Sequence, residues 1–196
     1  MPDYLDEKII AQRKAREREK HKKLAEGMYV KDTLFTFKRI PLLDETISIV
    51  LPDSFVDLPK DMADVKYPYL NRPQIIKTSL DTRVNYCINY FPKERLLPNQ
   101  TLQVAQQVRT LAQHANPALQ FSELEKMENT HFATYWYDFK SFTLDGQLYN
   151  IAFFCSVYEA LMHGLFNCPY EEKQEWQPIA FQMIEAVGKY TEEASI

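Results

Sequence analysis

Glycine is scarce in this chain, with 4 residues in 196, where an average share of about 7% would give about 14. Neither of the glycine-rich patterns that cradle nucleotide phosphates, G-x-x-x-x-G-K-[ST] and G-x-G-x-x-G, occurs in it. We assign structural roles to all four glycines: Gly27 and Gly188 cap helices, Gly146 forms a hairpin turn and Gly164 lies within a strand. Binding of ATP, GTP or a dinucleotide by these routes is therefore not expected, and we predict no cofactor.

Long apolar runs are also missing. No stretch approaches the ~18 apolar residues of a membrane span, and residues 1–26 are charged throughout, where an export signal needs an apolar core. The sequence thus predicts a cytoplasmic protein, made without export and without membrane insertion. Its three cysteines, Cys87, Cys155 and Cys168, are odd in number for a disulfide framework, so we expect reduced thiols.

The residue spacings of common metal sites are absent as well, since neither C-x-x-C nor H-x-x-x-H occurs. Cys155 and Cys168 could approach each other across adjacent strands, with His163 nearby in sequence. Both cysteines lie in or beside apolar runs, however, which favours small buried side chains over a thiol nucleophile. We therefore predict no metal site, no catalytic residue and no enzyme activity. The four histidines fall in four different predicted elements: His21, His114, His131 and His163.

The first 27 residues differ in charge from the rest of the chain. Residues 8–23 hold eight Lys or Arg against two acids, with no Gly or Pro to interrupt a helix and no continuous apolar stripe. We predict a charged helical arm over residues 1–27 and a single domain over residues 28–196. The arm carries a net charge of +2 and the domain −6. Six basic residues of the arm are candidate partner-binding residues: Lys8, Arg13, Lys14, Arg16, Arg18 and Lys20.

Three roles for the arm remain open: a solvated helix, an element through which the protein forms a homo-oligomer, or a docking arm for a protein partner. Because arm and domain carry opposite charge, the arm either lies on its own domain or reaches for an acidic partner. Nucleic acid binding is not expected, since the sequence pI is about 5.6 and no aromatic residue between Leu5 and Met28 can stack on bases.

The hydrophobic pattern of residues 28–196 predicts an α+β domain, with a mainly antiparallel sheet flanked by helices on both faces. The predicted helices are Lys60–Val65, Asn99–His114, and a last helix in two pieces, Glu171–Trp176 and Pro178–Val187, whose buried stripe includes Trp176, Ile179 and Met183. The predicted strands are Thr33–Arg39, Glu45–Leu51, Gln74–Ser79, Arg83–Phe91, Leu119–Met127, 132–143, 147–157 and Met162–Asn167. Acids in the first turn of the last helix, Glu171, Glu172 and Glu175, are interpreted as favourable for the helix dipole.

A β-hairpin gives the strongest local signal. Its two strands, 132–143 and 147–157, are rich in aromatic and β-branched residues and are joined by Asp145–Gly146, a preferred two-residue turn. That turn would set Trp136 opposite Cys155 and Phe142 opposite Tyr149.

Asp138 and Lys140 interrupt the apolar pattern of the first hairpin strand, two residues apart and therefore on the same face. Three interpretations remain open. This end of the face is exposed, or the two charges pair with each other, or the two residues form a polar spot in an aromatic groove that receives a partner's backbone. We include both among the candidate partner-binding residues.

Three segments within residues 45–189 carry a resemblance to a known fold family. They are the opening ISIVLPDSF, the hairpin TYWYDFKSFTLDGQLYNIAFF and the end HGLFNCPYEEKQEWQPIAFQMIEAV. Together with the order of the elements, they resemble the PsbP-like fold, which is shared by a photosystem oxygen-evolving subunit, a nuclear Ran-binding release factor and bacterial DcrB-like proteins, some of which are chaperones for secreted toxins. The resemblance implies an α+β binding protein of bacterial type.

The first functional hypothesis is therefore a non-enzymatic protein-binding module, an adaptor or chaperone in a bacterial multi-component system, of which a secretion system is one example. The alternatives are a small-ligand-binding protein or enzyme with a pocket beside the aromatic hairpin, and a structural protein that self-assembles through the arm. A concave pocket with converging polar groups would favour a ligand site, whereas a broad exposed apolar face would favour a protein surface.

Overall fold

The computed structural model describes residues 3–68, 72–128, 130–143 and 146–191, with side chains from residue 7 onward. Within these ranges the chain forms four helices and thirteen strands. The helices are α1 (Asp3–Glu19), α2 (Lys60–Lys66), α3 (Thr101–Ala115) and α4 (Lys173–Glu185). The strands are β1 (Met28–Val30), β2 (Thr33–Phe35), β3 (Phe37–Leu42), β4 (Ile47–Pro52), β5 (Val56–Asp57), β6 (Ile75–Thr78), β7 (Asn85–Arg95), β8 (Gln120–Phe121), β9 (Glu125–Met127), β10 (Thr134–Thr143), β11 (Gly146–Val157), β12 (Ala160–Pro169) and β13 (Gly188–Lys189).

A central eight-stranded sheet has the order β5-β6-β7-β12-β11-β10-β8, and β9 also pairs with β10. A second sheet has the order β13-β4-β3, and β1 and β2 form a separate hairpin. Every strand pair in the described residues is antiparallel. The predicted α+β class with a mainly antiparallel sheet is confirmed.

One face of the central sheet, the α4 face, carries the main core. Alternate residues of β11 and β12 pack there against α4 and against β4, because side chains of a strand alternate between faces. The predicted stripe of α4, from Trp176 to Met183, is buried in this core. Gly164 lies under the ring of Phe153, where a Cβ would come within 1.9 Å of Cζ. A side chain at position 164 would therefore displace that ring.

The opposite face of the sheet is covered by two helices that lie apart. Ala105 of α3 packs with Tyr137 and Phe154 over β10 and β11. Ala63 of α2 packs with Cys87 over β6 and β7. Helices therefore cover both faces of the sheet, as predicted, and β12 runs between the two helices on this second face, the groove face.

The register of the aromatic hairpin differs from the prediction by two residues. Trp136 pairs with Phe153 rather than Cys155, and Phe142 pairs with Gln147 rather than Tyr149. Pairing ends at Thr143 and Gly146, so Gly146 begins β11 instead of forming the turn. Asp145, the other predicted turn residue, lies outside the described residues. Since the period of a strand is two, this shift leaves every side chain on its predicted face.

Three helix ends also differ from the predictions. Asn99 belongs to a 3-10 turn, Pro98–Gln100, and α3 begins after it. α4 is continuous through Pro178, because its residues on both sides of the proline pack into one core and only one helix hydrogen bond is lost. α1 ends at Glu19, and Gly27, with φ +75°, instead ends a short 3-10 turn that buries Leu24.

Candidate functional site

The six basic candidate residues of the arm are exposed, five of them on α1 and Lys20 directly after it. Lys14 Nζ lies 3.0 Å from Asp32 Oδ1, and Arg18 donates a hydrogen bond to the carbonyl of Lys31. Lys14 lowers the pKa of Asp32 through this hydrogen bond. The C-terminal half of α1 thus lies against the turn between β1 and β2, which places two of the six basic residues at this turn. Their role in partner binding stays a prediction.

Asp138 and Lys140 both lie on the α4 face, each with its own partners. Asp138 accepts a hydrogen bond from the hydroxyl of Tyr149 at 2.9 Å and lies 3.6 Å from Lys173 Nζ. Lys140 Nζ lies 4.3 Å from the ring centroid of Tyr170, which is a favourable cation–π distance. Each side chain therefore has its own partners within the chain, rather than the other member of the pair. Their role as a partner site stays a prediction.

A groove on the other face of the sheet brings together residues that the sequence did not single out as a site. It consists of two adjoining cavities of about 380 and 560 Å³, which share Lys66, Tyr67 and Leu165. Volumes of this order are typical of ligand pockets. The groove follows the outward residues of β12 from His163 to Pro169, a distance of about 20 Å at ~3.3 Å per residue.

The groove exists because neither helix covers β12. α2 has only seven residues and packs over β6 and β7, while α3 packs over β10 and β11. On β12, His163, Leu165 and Asn167 face outward and alternate with core residues. That alternation is visible in the sequence. The adjacency of β7 to β12 is not.

Asparagine amides form the polar part of the groove floor. Asn85 is fully buried and saturated: its amide donates to Asn167 Oδ1 at 2.8 Å, and its oxygen accepts from Thr78 Oγ1 at 2.9 Å. Asn150 uses its nitrogen for contacts with Ser141 Oγ and two carbonyls. Within the described residues, its oxygen is left as an acceptor. The side chain of Asn167 also hydrogen-bonds to the hydroxyl of Tyr67, which lowers the pKa of that hydroxyl against the larger effect of burial.

Four titratable groups meet at the first cavity: Lys66, Tyr67, Cys87 and His163. Burial raises the pKa of the Cys87 thiol to about 11 and raises that of the Tyr67 hydroxyl, which lies 3.6 Å from Cys87 Sγ. Burial lowers the pKa of His163 to about 4. At neutral pH the thiol is therefore protonated and the imidazole is neutral, which is the reverse of a thiolate–imidazolium nucleophile.

Cys155 and Cys168 do not approach each other. In the β11–β12 register Cys155 lies opposite Met162, whereas Cys168 lies opposite Tyr149, so the two thiols are at different ends of the hairpin. Cys87, Cys155 and Cys168 are all free and buried, as small apolar side chains are. Burial raises the pKa of Cys155 to about 12.

Glu172 is a buried acid. Sequence analysis treated it together with Glu171, which is exposed, and Glu175, which is half-exposed. Glu172 is 7% exposed, lies 2.7 Å from Lys31 Nζ and 3.5 Å from an Arg83 guanidinium nitrogen, and accepts the indole N–H of Trp176 at 3.2 Å. It therefore ties the β1–β2 turn and the start of β7 to α4. Its partners are far away in sequence, so helix-dipole reasoning could not find them.

Two further features can be stated for the part of the chain that the structure describes. It contains no group of three or more His, Cys, Asp or Glu side chains placed to hold a metal ion. None of its helices is both long enough and apolar enough to cross a membrane.

No protein-family model matches the chain, and no curated protein matches it. Solved structures are similar. PsbP (CyanoP) from Synechocystis sp. PCC 6803 has a TM-score of 0.57 at 10% identity, covering 84% of this chain and 98% of that one. LpqN, involved in cell envelope biogenesis of Mycobacterium tuberculosis, has a TM-score of 0.50 at 12% identity, covering 86% and 98%. The Saccharomyces cerevisiae Ran-binding protein Mog1p has a TM-score of 0.41 at 10% identity, covering 79% and 96%. The likeness to the first two concerns the fold: this chain has the PsbP-like fold.

Proposed function

We propose that this protein is a non-catalytic binding protein that holds an apolar segment of a protein partner in the groove along β12. The observation that carries this proposal is the continuity of the groove. Its two cavities share Lys66, Tyr67 and Leu165, so they form one site rather than two.

The shape and chemistry of the groove favour a chain-like occupant. A length of about 20 Å accommodates about six residues of extended peptide. Apolar groups such as Leu165 and Pro73 line it, while the side-chain oxygen of Asn150 offers an acceptor to a peptide backbone. Apolar walls with a few polar groups are typical of binding sites.

The state of the titratable groups supports a role without catalysis. A thiol nucleophile needs a lowered pKa and an oriented base, whereas burial raises the pKa of Cys87. In the described residues, the only hydroxyl within hydrogen-bond reach of its sulfur is that of Tyr67, at 3.6 Å. That hydroxyl is itself held protonated by burial, so it is no base.

The finer part of the proposal is a role as an adaptor or chaperone in a bacterial multi-component system, which the sequence resemblance implies. We also propose that the protein works in the cytoplasm, where the free thiols of Cys87, Cys155 and Cys168 would stay reduced. The exposed basic residues of the arm would provide a second contact with an acidic partner.

A small-ligand-binding protein is the second candidate, because the first cavity alone has the volume of a small-molecule pocket, about 380 Å³. The second cavity is the one that lies beside the aromatic hairpin, because Thr143 and Gln147 line it. The first cavity is at the opposite end of the groove, near His163. A small molecule would therefore occupy the His163 end, whereas a peptide would span both cavities.

The test is a peptide selection combined with a variant that fills the groove. Leu165 lines both cavities, so Leu165→Trp adds bulk where the two cavities join. Leu111 is 67% exposed on α3, and Leu111→Trp is the matched control. Peptides selected on the parent protein from a displayed random library would be measured against all three proteins by fluorescence polarisation.

We expect Leu165→Trp to weaken peptide binding by about tenfold or more, which corresponds to about 1.4 kcal/mol, and Leu111→Trp to leave it unchanged. Equal binding to the parent and to a folded Leu165→Trp protein would contradict the groove as the site. A small molecule that copurifies with the parent in native mass spectrometry, and is lost from Leu165→Trp, would instead support the second candidate.

A further inference from the structure

The ammonium group of Lys66 lies at the junction of the two cavities. Lys66 is the last residue of α2 and lines both cavities. Lys66 is an exposed residue, and its Nζ donates to the carbonyl of Thr82 and, at 3.3 Å, to Oδ1 of the buried Asn85. A positive charge is thus held inside the groove by neutral oxygens.

Other cations of the groove are paired with acids. Arg72 forms an ion pair with Asp64, and Arg83 lies 3.1 Å from Glu171 Oε1 and 3.5 Å from Glu172 Oε1. No carboxylate of the described residues lies within 4 Å of Lys66 Nζ. Burial also lowers the pKa of Lys66, against the opposing effects of the Cys87 thiol and of Asp81, which lies beyond 4 Å.

A hydrogen-bonded network adjoins this cation. Asn85 connects Lys66 to Asn167, whose oxygen accepts from Asn85 and whose side chain also hydrogen-bonds to the hydroxyl of Tyr67. Tyr67 is next to Lys66 in the chain and lines the same two cavities. The network therefore holds neutral groups beside the ammonium, and a carboxylate, which accepts up to about four hydrogen bonds, suits an ammonium in this position.

We propose that the bound segment is acidic at its centre: a carboxylate side chain pairs with Lys66, and the apolar residues on both sides fill the two cavities. This inference rests on the proposed function, because it assigns a charge to the segment that the groove holds. The central position follows from the place of Lys66 between the cavities. Charge complementarity gives the sign of the charge on the segment. Since the Lys66 ammonium has no carboxylate of the described residues within 4 Å, it can pair with a carboxylate of the segment.

The experiment uses two pools of pentapeptides, acetylated at the N-terminus and amidated at the C-terminus. The pools differ only in whether the central side chain ends in a carboxylate or in an amide. Both pools carry Leu, Ile, Val or Phe at the outer positions, and the central residue is Asp in one pool and Asn in the other. Retention by the full-length protein is measured by affinity selection with mass spectrometry. The variants are Lys66→Gln, the conservative Lys66→Arg, and Lys60→Gln, a control at the exposed start of the same helix.

We expect the parent and Lys60→Gln to retain the Asp pool about tenfold better than the Asn pool, a difference within the range of charged hydrogen bonds. Lys66→Gln should lose this preference and Lys66→Arg should keep part of it. Melting curves verify that each variant is folded, and the comparison of the two pools on the parent needs no variant at all.

Three results would overturn the inference. Equal retention of both pools by the parent would remove the role of Lys66 while leaving the groove as a binding site. A preference for Asp that survives in folded Lys66→Gln would assign the carboxylate to another cation. Retention of neither pool would overturn both this inference and the proposed function.

Discussion

The imidazole of His163 lies flat against the ring of Phe154, with centroids 4.6 Å apart and planes 9° from parallel. Its surroundings offer apolar contact and little water, and burial lowers its pKa to about 4, compared with 6.5 for an unperturbed histidine. The unfolded chain therefore binds a proton between about pH 6.5 and pH 4 that the folded protein does not. In this window His163 makes folding less favourable as the pH falls.

We predict that His163→Phe, which retains the ring stack, makes stability less sensitive to acid. Lowering the pH from 7 to about 4 should cost the parent on the order of 2 kcal/mol more than the variant, a discounted figure because the ring is partly exposed. Urea unfolding of both proteins at the two pH values measures the difference. Equal losses would show that His163 titrates normally in the folded protein.

Trp176 anchors α4 in the core, where it is 2% exposed. Its ring meets that of Phe35 edge to face at a centroid distance of 5.3 Å, and its N–H donates to Glu172. We predict that Trp176→Ala lowers the free energy of unfolding by about 3–5 kcal/mol. The exposed Gln174, on the same helix, is the control, and Gln174→Ala should change it by less than about 0.5 kcal/mol. A loss below about 1 kcal/mol for Trp176→Ala would contradict this account of the core.

Burial of single residues was predictable where it follows a local period. The stripe of α4 and the apolar runs around Cys155 gave the correct buried side chains, because three- to four-residue and two-residue spacings report which side faces a core. Glu172 was not predictable, since its partner Lys31 lies 141 residues away. The partners of Asp138 required the hairpin register.

At the scale of elements, the aromatic hairpin shows two different determinants. The alternation of residues determines which face each side chain lies on, and the turn determines which residues pair. The strands and the face of each residue were predicted, while the pairing was displaced by two residues. The choice of Asp145–Gly146 as the turn caused this error, because a two-residue turn fixes the register of the whole hairpin. Gly146, with φ +148°, begins β11 in a backbone conformation that favours glycine.

The arm shows a similar limit. A helical, exposed arm was predicted from its charges, and the boundary of the arm at Gly27 remains a proposal. Within residues 1–27, the structure distinguishes an exposed helix from a short segment that packs on the domain. Residues up to Glu19 form the exposed α1, whereas Leu24 is 7% exposed and its amide nitrogen donates to Gln182 of α4 at 3.2 Å. The last residues of the arm therefore pack on the domain.

We predict that a chain lacking residues 1–19 stays folded, with a melting temperature within a few degrees of the parent, because exposed charge contacts contribute little. A chain lacking residues 1–27 should lose on the order of 2 kcal/mol more, because it also loses Leu24 from the core. Calorimetry of the three chains makes the comparison. Unfolding of the chain without residues 1–19 would refute the two-part organisation.

At the scale of the whole molecule, the groove follows from how the layers are arranged. The antiparallel order β7-β12-β11 sets the polar residues of β7 beside those of β12, while α2 and α3 cover only the strands on either side. The sequence predicted a pocket beside the hairpin as an alternative. It could not predict the groove itself, because strand order depends on non-local pairing that a period of two does not encode.

The central claim is that the groove along β12, rather than the basic arm or the pair Asp138 and Lys140, receives the partner segment. The most direct measurement is an NMR titration of the isotope-labelled full-length protein with a peptide selected on it. The account predicts that amide signals of residues 85–89 and 163–167 shift and saturate together, and that signals of residues 8–20 do not. Shifts confined to residues 8–20, or to 138–140 on the opposite face of the sheet, with the β12 signals unchanged, would contradict it.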